Sequence, residues 1–138
     1  MKGTIYYLTI ALLLFNAAGA FYGGFFLMMD PTGKLLHLTT YRLMTSPFID
    51  YFYPGLVLFL ANGVLSLTAA IALWRKAGYA SYLVLLQGFT LIGWIVIQAS
   101  MLETFNEWHL AMVVTGITLA GLASRSIARR QTDQRVRA

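Results

Sequence analysis

Residues 4–29, 54–74 and 79–102 contain no Asp, Glu, Lys, Arg or His, and a fourth apolar stretch runs from Leu110 to Ala123. About 20 apolar residues at roughly 1.5 Å each cross the hydrocarbon layer of a bilayer. The first three stretches reach that length alone, and the fourth reaches it with its flanks. The pattern therefore predicts an all-α, four-helix transmembrane bundle with spans near 4–29, 54–74, 79–102 and 107–125. A secretory signal competes for the first stretch, with Lys2 ahead of an apolar run and Ala18-Gly19-Ala20 resembling a cleavage site. Apolar character continues through Phe21 to Leu27, so an uncleaved first helix is expected.

The polar positions punctuate these spans. Asp30-Pro31-Thr32-Gly33 has the residue preferences of a type I turn. Residues 34–46 mix Lys34, His37 and Arg42 with Leu35, Leu36, Leu38, Leu43 and Met44, too polar to cross and too apolar to float in water. This stretch is expected to form an interfacial or re-entrant segment between helices 1 and 2. Ser46-Pro47 offers an N-cap and a first helical proline, so a helix is expected to start there. Pro54 should then kink that helix or separate a short surface helix from the second span. Trp74-Arg75-Lys76 closes the span, and Gly78 is expected to make the turn. Thr104-Phe105-Asn106-Glu107 has the form of a capping box, and the helix it opens should continue past Ser124 as an amphipathic extension. The division expected is one four-helix domain over 1–125 and a basic cytoplasmic tail over 126–138.

Composition supports this reading: 59% of the residues are hydrophobic and 11% charged, where a soluble domain carries about a quarter charged residues. The chain has ten Lys and Arg against five Asp and Glu. Arg75 and Lys76 lie between two spans, and Arg125, Arg129, Arg130, Arg135 and Arg137 fill the C-terminal region. That distribution follows the positive-inside rule, placing both termini in the cytoplasm of a cell with the chain in its inner (plasma) membrane, and it argues against nucleic-acid binding.

Uncharged spans lack the ionisable groups that proton-coupled transporters and voltage sensors move, which disfavours both. The chain has no cysteine, which removes thiol chemistry and iron–sulfur ligation. His37 and His109 lie at the outer edge without a second histidine in the same span, so haem is disfavoured, and no cofactor or metal is expected.

What remains is neutral polarity. Gln87, Thr90, Trp94 and Gln98 share one face of the third span, and Asn62 and Ser66 are four apart on the second. Such residues serve either as hydrogen-bonding glue between helices or as the lining of a pocket. Counted from the outer ends, Asn62 lies about 12 Å deep and Gln98 about 6 Å deep, with Asn16 and Gln87 deeper. The pocket reading has Asn62, Trp94 and Gln98 converging beneath residues 50–54, with Tyr22 as a further aromatic wall. Gly19-x-x-x-Gly23 and Ala20-x-x-x-Gly24 allow close helix approach, within one chain or between two copies. On the outer face, Glu103, His109 and Asp50 are acid–base candidates, although Asp50 is also well placed at a helix start.

Gly23-Gly24, Asp30-Pro31-x-Gly33, Ser46-Pro47-Phe48-x-Asp50-Tyr51, Pro54-Gly55 and Asn62-Gly63 together resemble the signature of a family of small, uncharacterised four-span bacterial integral membrane proteins. The resemblance covers the first half of the chain and implies a fold rather than an activity. In size and span count the chain is also similar to the DoxX-like group. The redox role which that resemblance implies lacks cysteines here, and the same lack excludes vitamin K epoxide reductases and DsbB-type oxidoreductases.

The expectation is a non-catalytic membrane protein that binds a membrane lipid, another lipophilic small molecule or a partner subunit through its outer half. Self-association is a further option. The alternatives are a small enzyme acting on a lipid-like substrate at the outer leaflet, and an oligomeric channel or carrier.

Overall fold

The computed structural model describes residues 3–38, 40–44, 46–102 and 107–137. Four long helices dominate it: α1 (Gly3–Met29), α2 (Phe52–Trp74), α3 (Ala80–Leu102) and α4 (Glu107–Arg137). All four are long and apolar enough to cross a membrane. Each expected span is present, and α4 continues without interruption to Arg137. At 1.5 Å per residue its 31 residues measure about 46 Å, well beyond the hydrocarbon thickness of about 30 Å.

The distribution of side chains is the reverse of a soluble bundle. Phe15, Phe25, Leu60, Phe89, Val96 and Ile117 are each more than half exposed, while Thr9, Asn16, Asn62, Ser66 and Gln87 are fully buried. In water the exposed set would lose about 25 cal/mol per Å² of apolar surface, whereas lipid accepts it without loss. The buried core is built largely of small residues, with Ala69, Ala70, Ala72, Ala80, Ala123, Leu13, Val84 and Leu119 packed near the chain termini. A second cluster, Leu91, Trp94, Ile95 and Met112, fills the other half.

Close approach of the helices depends on glycine. A Cβ at Gly24 would lie 2.7 Å from the Gly55 carbonyl and 2.8 Å from Phe59 Cβ, so α1 and α2 touch through backbone. Of the small residues on α1, Ala20 is buried and Gly24 packs on α2, whereas Gly19 faces open space. Ala20 and Gly24 therefore serve packing within the chain.

The turn after α1 forms as its residues predict. The Gly33 N–H donates to the Asp30 carbonyl at 3.0 Å, and Gly33 adopts φ 79°. Asp30 Oδ1 accepts from the Thr32 hydroxyl at 2.5 Å and the Thr32 amide at 3.2 Å, and Oδ2 accepts from the Leu35 amide at 3.2 Å. These bonds, the Thr32 hydroxyl first, hold the Asp30 carboxyl below its usual range. Two short 3-10 turns follow, Lys34–Leu36 and Thr40–Leu43. Leu43 and Tyr51 bury themselves with Leu27, and Leu36, Leu38 and Phe48 pack around them. The segment thus folds back onto the bundle, while Tyr41, Met44 and Ile49 point outward, exposed by 78%, 75% and 92%.

Three local expectations are corrected. No helix starts at Ser46; its hydroxyl donates to the Leu43 carbonyl and accepts the Phe48 amide, and α2 begins at Phe52. Pro54 therefore falls in the first turn, where its missing N–H leaves no helical bond unmade, so it produces no kink. The helix departs from α geometry instead at Leu58–Val64, a π-helical segment closed by the Leu65 amide on the Leu60 carbonyl. At the α2–α3 turn, the left-handed residue is Lys76 (φ 55°), not Gly78. Lys76 N–H donates to Leu73 and Ala77 N–H to Ala72, the paired bonds of a Schellman motif whose left-handed position glycine usually takes.

Candidate functional site

On three helices a polar residue separates the two apolar clusters. Asn16 follows Leu13 on α1, Asn62 and Ser66 lie between Leu58 and Ala69 on α2, and Gln87 lies between Val84 and Leu91 on α3. All four are buried to within 1%. They form two pairs: Asn16 Nδ2 donates to Ser66 Oγ at 2.6 Å, and Gln87 Nε2 donates to Asn62 Oδ1 at 3.1 Å. The pairs lie about one turn apart along α2, and Asn62 sits within the π-helical segment. Segments of this kind widen a helix locally and recur at functional sites.

The pairs leave polar groups over. Asn16 Oδ1, Asn62 Nδ2, Gln87 Oε1 and Trp94 Nε1 are buried without a hydrogen-bond partner in the protein. Two of these atoms are acceptors and two are donors. Each costs about 1–3 kcal/mol if left unmet. In a bilayer no bulk water reaches them, so the number of such groups on so few residues is unusual.

Asn62 and Trp94 are both in the core, and Trp94 packs with Leu91, Ile95, Met112 and Leu58. Gln98 is half-buried one turn beyond Trp94. The amide that meets Asn62 is Gln87, which the count of depth from span ends placed deeper than Asn62. Tyr22 is 62% exposed, with its ring against Phe26 at 4.7 Å between centroids. Thr90, Thr115 and Thr118 each donate to the carbonyl four residues earlier in their own helix, at 2.8–2.9 Å.

Of the acid–base candidates, Asp50 Oδ1 accepts the Phe52 amide at 3.0 Å, supporting the first turn of α2. His109 is buried near the start of α4. Glu103 and the expected capping residue Thr104 lie outside the described residues. Among the described residues no three His, Asp or Glu side chains gather in a way that could hold a metal ion.

Four apolar spans around a buried polar layer define a multi-pass, all-helical membrane protein. No family model, curated protein or solved structure matches the chain.

Proposed function

We propose that this protein is a non-catalytic membrane protein that binds a lipophilic molecule bearing a polar group, in the plasma membrane with both termini cytoplasmic. The observation that carries the reading is the set of unmet donors and acceptors on Asn16, Asn62, Gln87 and Trp94. An amide–amide pair and an amide–hydroxyl pair acting only as glue would be expected to satisfy one another more fully. A ligand carrying both a donor and an acceptor, such as a hydroxyl or an amide, would meet them. The π-helical segment that contains Asn62, and the aromatic Trp94, support a site here, with Gln98 on the approach from the end opposite the termini.

The test is mass spectrometry of lipids that copurify with the full chain in mild detergent. Asn62→Leu should lose a lipophilic species that the native protein retains. Because Asn62→Leu strands the Gln87 amide, the double variant Asn62→Leu/Gln87→Leu removes both partners and keeps the fold testable. An unchanged lipid profile in a folded double variant would refute ligand binding and leave the layer as interhelical glue.

A further inference from the structure

At the end of the bundle that carries both termini, the start of α1, the α2–α3 turn and α4 border an open cleft of about 740 Å³. Tyr6, Tyr7, Trp74, Lys76, Ser126 and Arg130 are among its walls. A neighbouring space of about 200 Å³ shares Ser126 and Arg130 and adds Arg125, Arg129 and Asp133. Four cations thus border the two spaces against one carboxylate.

The chemistry of the walls suits a phosphate. Arg130 donates from Nη1 to the Gly78 carbonyl, which anchors the side chain across the α2–α3 turn. The remaining N–H groups of a guanidinium can grip phosphate oxygens in a fork. The carbonyls that end α2 would repel an anion, but the Tyr6 hydroxyl donates to Leu73 O at 3.0 Å and lies 3.4 Å from Trp74 O. Lys76 is held in the left-handed conformation at the cleft wall, where glycine would be easier.

The surroundings suit a lipid. Tyr7 and Trp74 are exposed by 64% and 67% at one level of the bundle, the position of an interfacial aromatic belt. Ile5 and Leu122 give the smaller space an apolar flank along which acyl chains can run. The larger volume falls within the 300–1,000 Å³ of small-molecule sites, room for a substituted phosphate rather than a lone ion.

We propose that this cleft binds the phosphate of an anionic glycerophospholipid, with Arg130 and Lys76 on the phosphate and Arg125 and Arg129 beside it. The site stands apart from the polar core and does not depend on it. Native mass spectrometry of the full chain, titrated with phosphatidylglycerol or phosphatidylcholine of the same acyl chains, measures the preference. Phosphatidylglycerol should bind about tenfold more tightly, and the preference should weaken as salt is raised. Lys76→Gly removes the charge while relieving the left-handed backbone, so the variant should melt no lower than the native protein and still lose several-fold of the preference. Arg130→Gln should lose at least as much. Competition by inorganic phosphate separates the two sources of the group: displacement of the lipid at millimolar phosphate assigns the site to phosphate itself, and resistance assigns it to the lipid. Equal binding of the two lipids by the native protein, or an undiminished preference in Lys76→Gly/Arg130→Gln, would overturn the proposal.

Discussion

Gly24 and Gly55 face one another where α1 crosses α2, and the atoms around them decide what either position tolerates. A Cβ on Gly24 would meet the Gly55 carbonyl and the Phe59 backbone nitrogen at 2.7 and 2.9 Å, neither of which can swing aside as a side-chain tip can. The helices would have to separate, disturbing the Leu27 and Leu58 contacts nearby. Overpacking of this kind costs about 1–3 kcal/mol. Gly24→Ala is therefore expected to destabilise the protein by that amount in unfolding by sodium dodecyl sulfate, followed by circular dichroism in mixed micelles. Gly19→Ala is the control, because nothing lies within 4 Å of a Cβ there. It should be neutral or slightly stabilising, since alanine is the better helix former by about 0.5–1 kcal/mol. An unchanged or raised stability in Gly24→Ala would show that helix propensity, not the close contact, governs this position.

At the scale of elements, the turn that ends α1 illustrates a signal complete in its own residues. Asp30 gathers the Thr32 hydroxyl and the amides of Thr32 and Leu35, and these bonds favour its charged form. A carboxyl whose folded value lies below its unfolded value contributes stability at pH above the ordinary carboxylate range. That contribution is lost as pH falls through the folded value. The Thr32 and Leu35 amide resonances should therefore titrate with a midpoint below the ordinary range, and Asp30→Asn should abolish the titration. A midpoint at or above that range would mean that the carboxylate does not hold the turn. The first three spans were equally legible, because uncharged runs of more than 20 residues leave a chain little alternative. The start of α2 was not. Ser46-Pro47 carries a valid local start signal, but burial of Leu43 and Tyr51 against Leu27 draws the segment into a fold-back, and the Ser46 hydroxyl serves a turn. In the polar layer, Asn62, Trp94 and Gln98 were expected to converge on a pocket, whereas the amide that meets Asn62 is Gln87. Counting from span ends assumes that all spans end at one level. Asn62 stands ten residues from Phe52 and Gln87 fifteen from Leu102, so the bond between them places the end of α3 about 7.5 Å beyond the start of α2. Sequence spacing fixes which residues share a helix face, but not the vertical register between helices. Nor does any residue pattern announce the π-helical segment.

Over the whole molecule, the uneven distribution of charge gives the two ends of the bundle different characters. One end carries Arg75, the four cations Lys76, Arg125, Arg129 and Arg130 around the clefts described above, and the last turns of α4. The other carries the fold-back segment, in which Lys34 and Arg42 are balanced by Asp30 and Asp50. Insertion retains loops rich in Lys and Arg on the cytoplasmic side, and loops as short as these follow the rule most strictly. The basic end is therefore expected inside and the fold-back segment outside. The chain has no cysteine of its own, so single introduced cysteines report without background. Thr32 and Gln131 are exposed at opposite ends. In intact cells a membrane-impermeant maleimide should label Thr32→Cys and leave Gln131→Cys unlabelled until the membrane is opened. The reverse pattern would invert the orientation and place the phosphate-binding cleft in the outer leaflet. Labelling of both positions in intact cells would contradict the even number of crossings, since α4 would then have to end on the same side as the turn that follows α1. The fold-back segment offers a check within the same cells. Its buried Leu43 and Tyr51 tie it to the bundle, so proteolysis from outside should spare residues 34–51 in the native protein. Replacing Tyr51 by Ser would remove the larger of those anchors and should expose the segment to cleavage, while the labelling pattern at Thr32 and Gln131 stays unchanged.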